Sequence, residues 1–205
     1  MTLCIAQDPA ADALLERDPF ALMVGMTLDQ QFPMERAFAG PALIAQRLGT
    51  PDRLDPRAVA DHDPEDFAAL MKGPPAVHRY PGSMGERIQA IARVIADDHG
   101  GDAAALWSSA ATGKELHARL LALPGWGDQK ARIFVALLGK QLGVRPEGWR
   151  EAAGDYGLDG ARRSVADVRD AGTLQEVRAF KQEAKAAQKK AGPKKAGPKK
   201  AVKKK

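Results

Sequence analysis

Cysteine is almost missing from this chain. Cys4 is the only one in 205 residues. No disulfide can form within the chain, and a reducing, intracellular compartment is the expectation. Cys4 itself reads as a small buried apolar residue. Long apolar runs are also missing, as is the basic-then-apolar start of a secretory signal. The expectation is a cytoplasmic protein with no membrane partner. The four histidines, at positions 62, 78, 99 and 117, show no ligand spacing. No H-E-x-x-H, no H-x-E with P-C-x-x-C and no phosphate-binding G-x-x-x-x-G-K-[ST] occurs. Zinc catalysis and nucleotide hydrolysis therefore have no motif to stand on, and no metal or cofactor is expected. Nor does any segment alternate in the manner of a strand, which leaves an all-α chain of short helices punctuated by proline and glycine.

Charge is present but unevenly spread. Residues 181–205 hold eleven lysines against one acid, Glu183, a net +10; of the total of +5 this leaves −5 for residues 1–180. The body is mildly acidic, so any affinity for nucleic acid must come from a local patch of it. The end of the chain carries two AGPKK units, at 191–195 and 196–200. Lysine repulsion and the lack of large apolar groups predict a disordered tail over 181–205. Such a tail adds salt-sensitive, sequence-independent binding to phosphates. Residues 1–180 then form one helical domain, with monomer as the default state.

Helix signals recur along that domain. Asp18-Pro19 opens a helix that is apolar nearly all round, with Phe20, Leu22, Met23, Val24, Met26 and Leu28, and that ends near Gln31; such a helix belongs in the middle of a core. Asp55-Pro56 and Asp63-Pro64 each pair a cap with a proline at the first helical position. Ser83-x-x-Glu86 and Thr112-x-x-Glu115 read as capping boxes, the first starting a helix over 84–99. Thr173-x-x-Glu176 starts a last helix that fades into the tail.

The most informative stretch is Leu123-Pro124-Gly125-Trp126-Gly127-Asp128-Gln129-Lys130-Ala131. Leu116, Leu120, Leu121 and Leu123 recur at helical spacing before it, and Ala131, Phe134, Val135 and Leu138 after it. Glycine permits the left-handed dihedrals and close backbone approach of a tight helix hairpin. The second helix then starts with unpaired N–H groups aimed outward, an anion site beside Lys130 and Arg132.

This segment resembles the helix-hairpin-helix of the base-excision DNA glycosylases, whose pattern L-P-G-x-G-x-x-[TK]-A it matches at every fixed position. The resemblance covers most of residues 18–145. It implies a two-lobed helical fold with the hairpin at 113–142 and double-stranded DNA as partner. It also implies phosphate contacts at Gly125, Gly127, Lys130 and Arg132. Pro19-Phe20 through Gln30 and Gln31 is similar to the family's buried helix, which ends in a glutamine that fills the gap left by an extruded base; Gln31 falls there by count, with Gln30 beside it. Tyr80, before Pro81-Gly82-Ser83, falls at the family's wedge position. Its ring either stacks between bases or packs the loop. Trp149 and Tyr156 are candidate walls of a base pocket, while Trp126 is expected to pack beneath the hairpin. His78 and Arg79 are candidates for phosphate contacts.

Three departures narrow the implied chemistry. Gln129 stands where lyase-active members carry a Schiff-base lysine, which leaves base removal by water without strand cleavage. One cysteine excludes the iron–sulfur cluster of one branch. The family's aspartate, which supports the cationic sugar, maps by ungapped count to Glu147, or to Asp155 if the loop is longer. The implied activity is that of a monofunctional DNA N-glycosylase in the cytoplasm, near the nucleoid. A non-catalytic DNA-binding protein that has lost the carboxylate is the alternative, and a nucleoid-type protein acting through its lysines is a third.

Overall fold

The computed structural model describes residues 3–190; within them the chain is helical, with no strand. The one bridge pairs Thr112 with Glu147. The first six helices form one group: α1 (Pro9–Arg17), α2 (Pro19–Leu28), α3 (Met34–Arg47), α4 (Pro56–Asp61), α5 (Pro64–Lys72) and α6 (Pro81–Asp98). After the one-turn α7 (Ala105–Ser108) come the hairpin helices α8 (Gly113–Leu121) and α9 (Asp128–Gln141), the short α10 (Trp149–Ala153) and the long α11 (Ala171–Lys190).

Helix α2 occupies the centre because it has no polar face to expose: every residue from Phe20 to Leu28 is buried. Asp18 caps it and also holds a distant loop. One carboxylate oxygen accepts the Ala21 N–H at 3.0 Å and the other accepts the Leu54 N–H at 2.7 Å, which ties the loop before α4 to the start of α2. Asp8, Asp55 and Asp63 cap α1, α4 and α5 in the same way, each followed by proline. Helix α3 crosses α2 closely, and a Cβ at Gly25 would come within 2.7 Å of the Phe38 ring. Ile88, Ile91 and Ile95 of α6 are buried on the side facing α4 and α5.

Four sequence expectations are corrected. Helix α2 stops at Leu28, so Gln30 and Gln31 lie in the turn beyond it. Helix α6 starts at Pro81 without a side-chain cap, because proline at the first position needs no N–H partner; Ser83 is already inside the first turn. Cys4 is only half-buried, its Sγ 3.5 Å from the Gln7 amide nitrogen. The presumed tail does not start at 181. Helix α11 continues to Lys190, held to α3 by an Arg178–Glu35 ion pair and to the end of α2 by Lys181–Asp29 at 3.4 Å. The AGPKK units fall outside the described residues.

The hairpin lobe is held at both ends. At the tip, Trp126 packs edge-on against Phe134, 5.1 Å between centroids, and its Nε1–H donates to Thr27 Oγ1 at 3.1 Å. That bond docks the hairpin on α2. At the far end, a Cβ at Gly139 would sit 2.4 Å from the Trp149 ring. There Lys140 pairs with Asp167 at 2.6 Å, both side chains nearly fully buried. Gln141 donates to the carbonyls of Val165, Ala166 and Val168. Thr112 accepts the Glu115 N–H at 3.1 Å, while Glu115 accepts from Ala111 rather than from Thr112, so the capping box closes one residue early.

Candidate nucleic-acid interface

The hairpin turns through Leu123–Trp126, where the Trp126 N–H donates to the Leu123 carbonyl at 3.1 Å. Gly125 has φ +73°, the left-handed region that a side chain resists. Gly127 differs: its φ is −104°, and a Cβ there would meet nothing within 4 Å. Its backbone conformation does not call for glycine. What glycine provides is open space over the start of α9, where no side chain caps the helix. The first N–H groups of α9 therefore have no side-chain partner at the cap position, and Asp128 and Gln129, which carry the first two, are exposed. Asp128 in that first turn would oppose an anion, but Arg132 binds it at 2.8 Å and His117 lies 3.1 Å away, so its charge is matched. Hydrogen bonding from Arg132, then the Arg132 and His117 charges, holds the Asp128 carboxyl below its ordinary range.

Beside the tip, between the end of α2 and the start of α9, lies a cavity of about 340 Å³. Met26, Asp29 and Gln30 line one wall and Gly125, Gly127, Gln129, Lys130 and Ile133 the other, with Lys181 of α11 at its edge. This volume falls at the small end of ligand pockets. Lys130 does not extend to solvent as the sequence suggested. Its Nζ donates to the Met26 and Thr27 carbonyls at 2.8 and 2.9 Å, satisfying the C-terminal end of α2. Burial brings its pKa down to about 8, against the opposing pull of Asp29 and with a further push from Arg87. Asp29 was not singled out from sequence. Among the described residues it is the only carboxylate lining the cavity, and its side chain is 9% exposed.

From the cavity a strip of residues continues to the two loops expected to face a base stack. Arg87 of α6 lies against Gly125 and donates to Gln30 Oε1 at 2.9 Å. This fixes Gln30 within the protein. Gln31 is the free one: it is exposed and sits at φ +54°, an uncommon conformation for a non-glycine residue. His78 pins this turn to the next loop. Its Nε2 lies 3.1 Å from the Gln30 carbonyl, and its Nδ1 accepts the Tyr80 N–H at 3.0 Å. The two bonds together require the neutral, Nε2–H form. Burial lowers the His78 pKa in keeping with that. His78 is therefore a buried brace and not a phosphate contact. Tyr80 is 45% exposed at the start of α6, with the Arg79 guanidinium 5.5 Å from its ring centroid. Phe32 and Arg36 stack beside Gln31 at 4.9 Å.

Comparison with protein-family models, with curated proteins and with solved structures finds no match.

The remaining candidates are scattered. Glu147 is exposed, with its backbone bonded to Ala111 and Gly113 at the start of α8. That is one helix length, ~14 Å, from the tip. Trp149 is buried against Gly139 and Gly113 at the same far end, a core residue and not a pocket wall. Asp155 is exposed and pairs with Arg163 at 3.0 Å. Tyr156 comes nearer, accepting from Gln129 Nε2 at 2.9 Å and so reaching the cavity's rim. Neither Glu147 nor Asp155 lines the cavity. Arg132 points away from the cavity, toward a second hollow that it lines with Lys114 and His117. Asp29 could have been suspected from sequence, since it is the first charged residue after nine buried positions, beside the two glutamines.

Proposed function

We propose that this chain binds duplex DNA across the hairpin tip, extrudes a damaged or mispaired base, and hydrolyses its N-glycosidic bond. The observation that carries the reading is the continuity of one strip. Open helix-start amides at Gly127, a cavity beside them, a free glutamine in a left-handed turn and an exposed tyrosine follow one another along one surface. Each has a task in base extrusion. The amides hold a phosphate, the cavity accepts the base, and Gln31 with Tyr80 fills the stack it leaves. The resemblance to the helix-hairpin-helix glycosylases supports the same assignment. Gln129, an amide, cannot form a Schiff base with the sugar, which supports hydrolysis without strand cleavage.

The test is incubation with a panel of lesion and mismatch duplexes, analysed with and without hot alkali. Strand breaks that appear only after alkali are the expected result. Breaks without alkali contradict the monofunctional assignment. The second reading, a DNA-binding protein without catalysis, is favoured by the distance of Glu147 and Asp155 from the cavity. It expects duplex binding with no alkali-labile product on any substrate. A protein acting chiefly through its terminal lysines would lose binding when residues 191–205 are removed; here only weaker binding is expected.

A further inference from the structure

We infer that Asp29 and Lys130 form the acid–base pair of this cavity, a role given neither to Glu147 nor to Asp155; the inference rests on the N-glycosylase reading above. The two residues come from different elements, Asp29 from the end of α2 and Lys130 from the first turn of α9, and both line the same cavity. Each departs from what a surface residue of its type does. Asp29 is more than nine-tenths buried although charged, and its carboxylate has one hydrogen-bond partner among the described residues, Lys181 of α11. Lys130 has its Nζ fixed by two carbonyls. An ammonium has three donors. Two go to Met26 and Thr27, so the third is left to the cavity.

The geometry suits glycosidic hydrolysis with both protons accounted for. A water placed at Asp29 bonds through its oxygen to C1′ of the extruded nucleotide and gives a proton to the carboxylate. The C1′–N bond breaks, its electron pair stays on the base nitrogen, and the Lys130 ammonium protonates the departing base. The proton on Asp29 then returns to Lys130 through solvent. The products are free base and a hemiacetal sugar, with nothing oxidised or reduced. As the C1′–N bond lengthens in the transition state, the Asp29 charge stabilises the positive charge developing on the sugar. Burial helps the donor, because an ammonium that releases its proton near neutral pH is a better acid than an exposed lysine. The groups facing Lys130 are Asp29 from the end of α2, Arg87 from α6, Lys181 from α11 and His78 from the loop before α6.

The experiment is single-turnover base release by the full chain on the best duplex of the panel, with affinity for that duplex and thermal melting measured on the same variants. Asp29→Asn is expected to slow release about 100-fold or more, within the range of general acid–base effects, with duplex affinity little changed. Lys130→Gln, which can still donate to the α2 carbonyls, is expected to slow release and abolish the fall in rate above pH about 8. Glu147→Gln and Asp155→Asn should release base at the wild-type rate. Wild-type rates in Asp29→Asn would overturn the pair while leaving the N-glycosylase reading intact; a borohydride-trapped adduct on Lys130 would overturn the pair and the monofunctional assignment with it. Failure of the wild-type chain to release base from any duplex removes the reading and the pair together.

Discussion

The two ends of the hairpin are built from the same residue type for opposite purposes. At the far end, Gly113 and Gly139 are glycines because Trp149 and its backbone occupy the space a Cβ would need, within 2.5 and 2.4 Å. At the tip, Gly125 is glycine for its backbone angle, and Gly127 has only open space around it. One end is sealed by packing and by a buried ion pair. The other leaves helix-start amides and a cavity uncovered. Glycine alone says nothing about function; the open space at Gly127, over a helix start with no side-chain cap, is what the proposed phosphate contact requires.

The comparison breaks most visibly at the sealed end. Trp149→Ala should cost about 3–5 kcal/mol by removing a buried ring that packs on α9 at Gly139. Asp167→Ala strands the Lys140 ammonium in a site where both partners are nearly fully buried, and a comparable loss of about 3–5 kcal/mol is expected. Urea unfolding measures both. Variants of either that still fold should bind duplex DNA as tightly as the wild type, and weakened binding would erase the functional contrast between the ends.

Much of this architecture was legible beforehand. Three Asp-Pro pairs, at 18–19, 55–56 and 63–64, marked helix starts because the carboxylate cap and the proline at the first position act within one turn. The apolar run from Phe20 to Leu28 announced a central helix, and Leu123–Ala131 announced the hairpin. The failures share a cause: they depend on contacts distant in sequence. The Asp29 carboxylate takes its hydrogen-bond partner from α11, some 150 residues later, where Lys181 Nζ lies 3.4 Å away. Gln30 and Gln31 look equivalent until Arg87 claims one and the left-handed turn frees the other. His78 looked like a surface charge until two loops closed on it. Trp149 looked like a pocket wall because aromatic content does not reveal which end of a helix it packs on.

The tip offers smaller and sharper tests. Gly125→Ala should destabilise by about 1–2 kcal/mol, since φ +73° is hostile to a Cβ. Gly127→Ala should cost less than about 1 kcal/mol, the scale of helix-start preferences, because nothing obstructs the added methyl. Thermal melting of the pair separates conformational need from access. Lys130 leaves a mark on stability against pH. Between about 8 and 10.5 the unfolded chain keeps the lysine proton that the folded chain has released, so this group makes stability rise with pH across that interval. Lys130→Gln should flatten that rise in urea midpoints taken from pH 7 to 10; an unchanged slope would mean the lysine is not buried as described.

The most direct test is the duplex affinity of Gly127→Leu, by fluorescence anisotropy across a salt series, in the full chain and in one ending at Lys190. The added Cβ would meet nothing within 4 Å, and the side chain beyond it is expected to cover the α9 amides. The expected result is a fold that melts within a few degrees of the wild type, binding weakened about tenfold or more in both chains, and a salt slope reduced by about one phosphate contact. A folded Gly127→Leu protein that holds duplex DNA as tightly as the wild type, with residues 191–205 removed, would contradict the claim that the hairpin tip grips the DNA backbone.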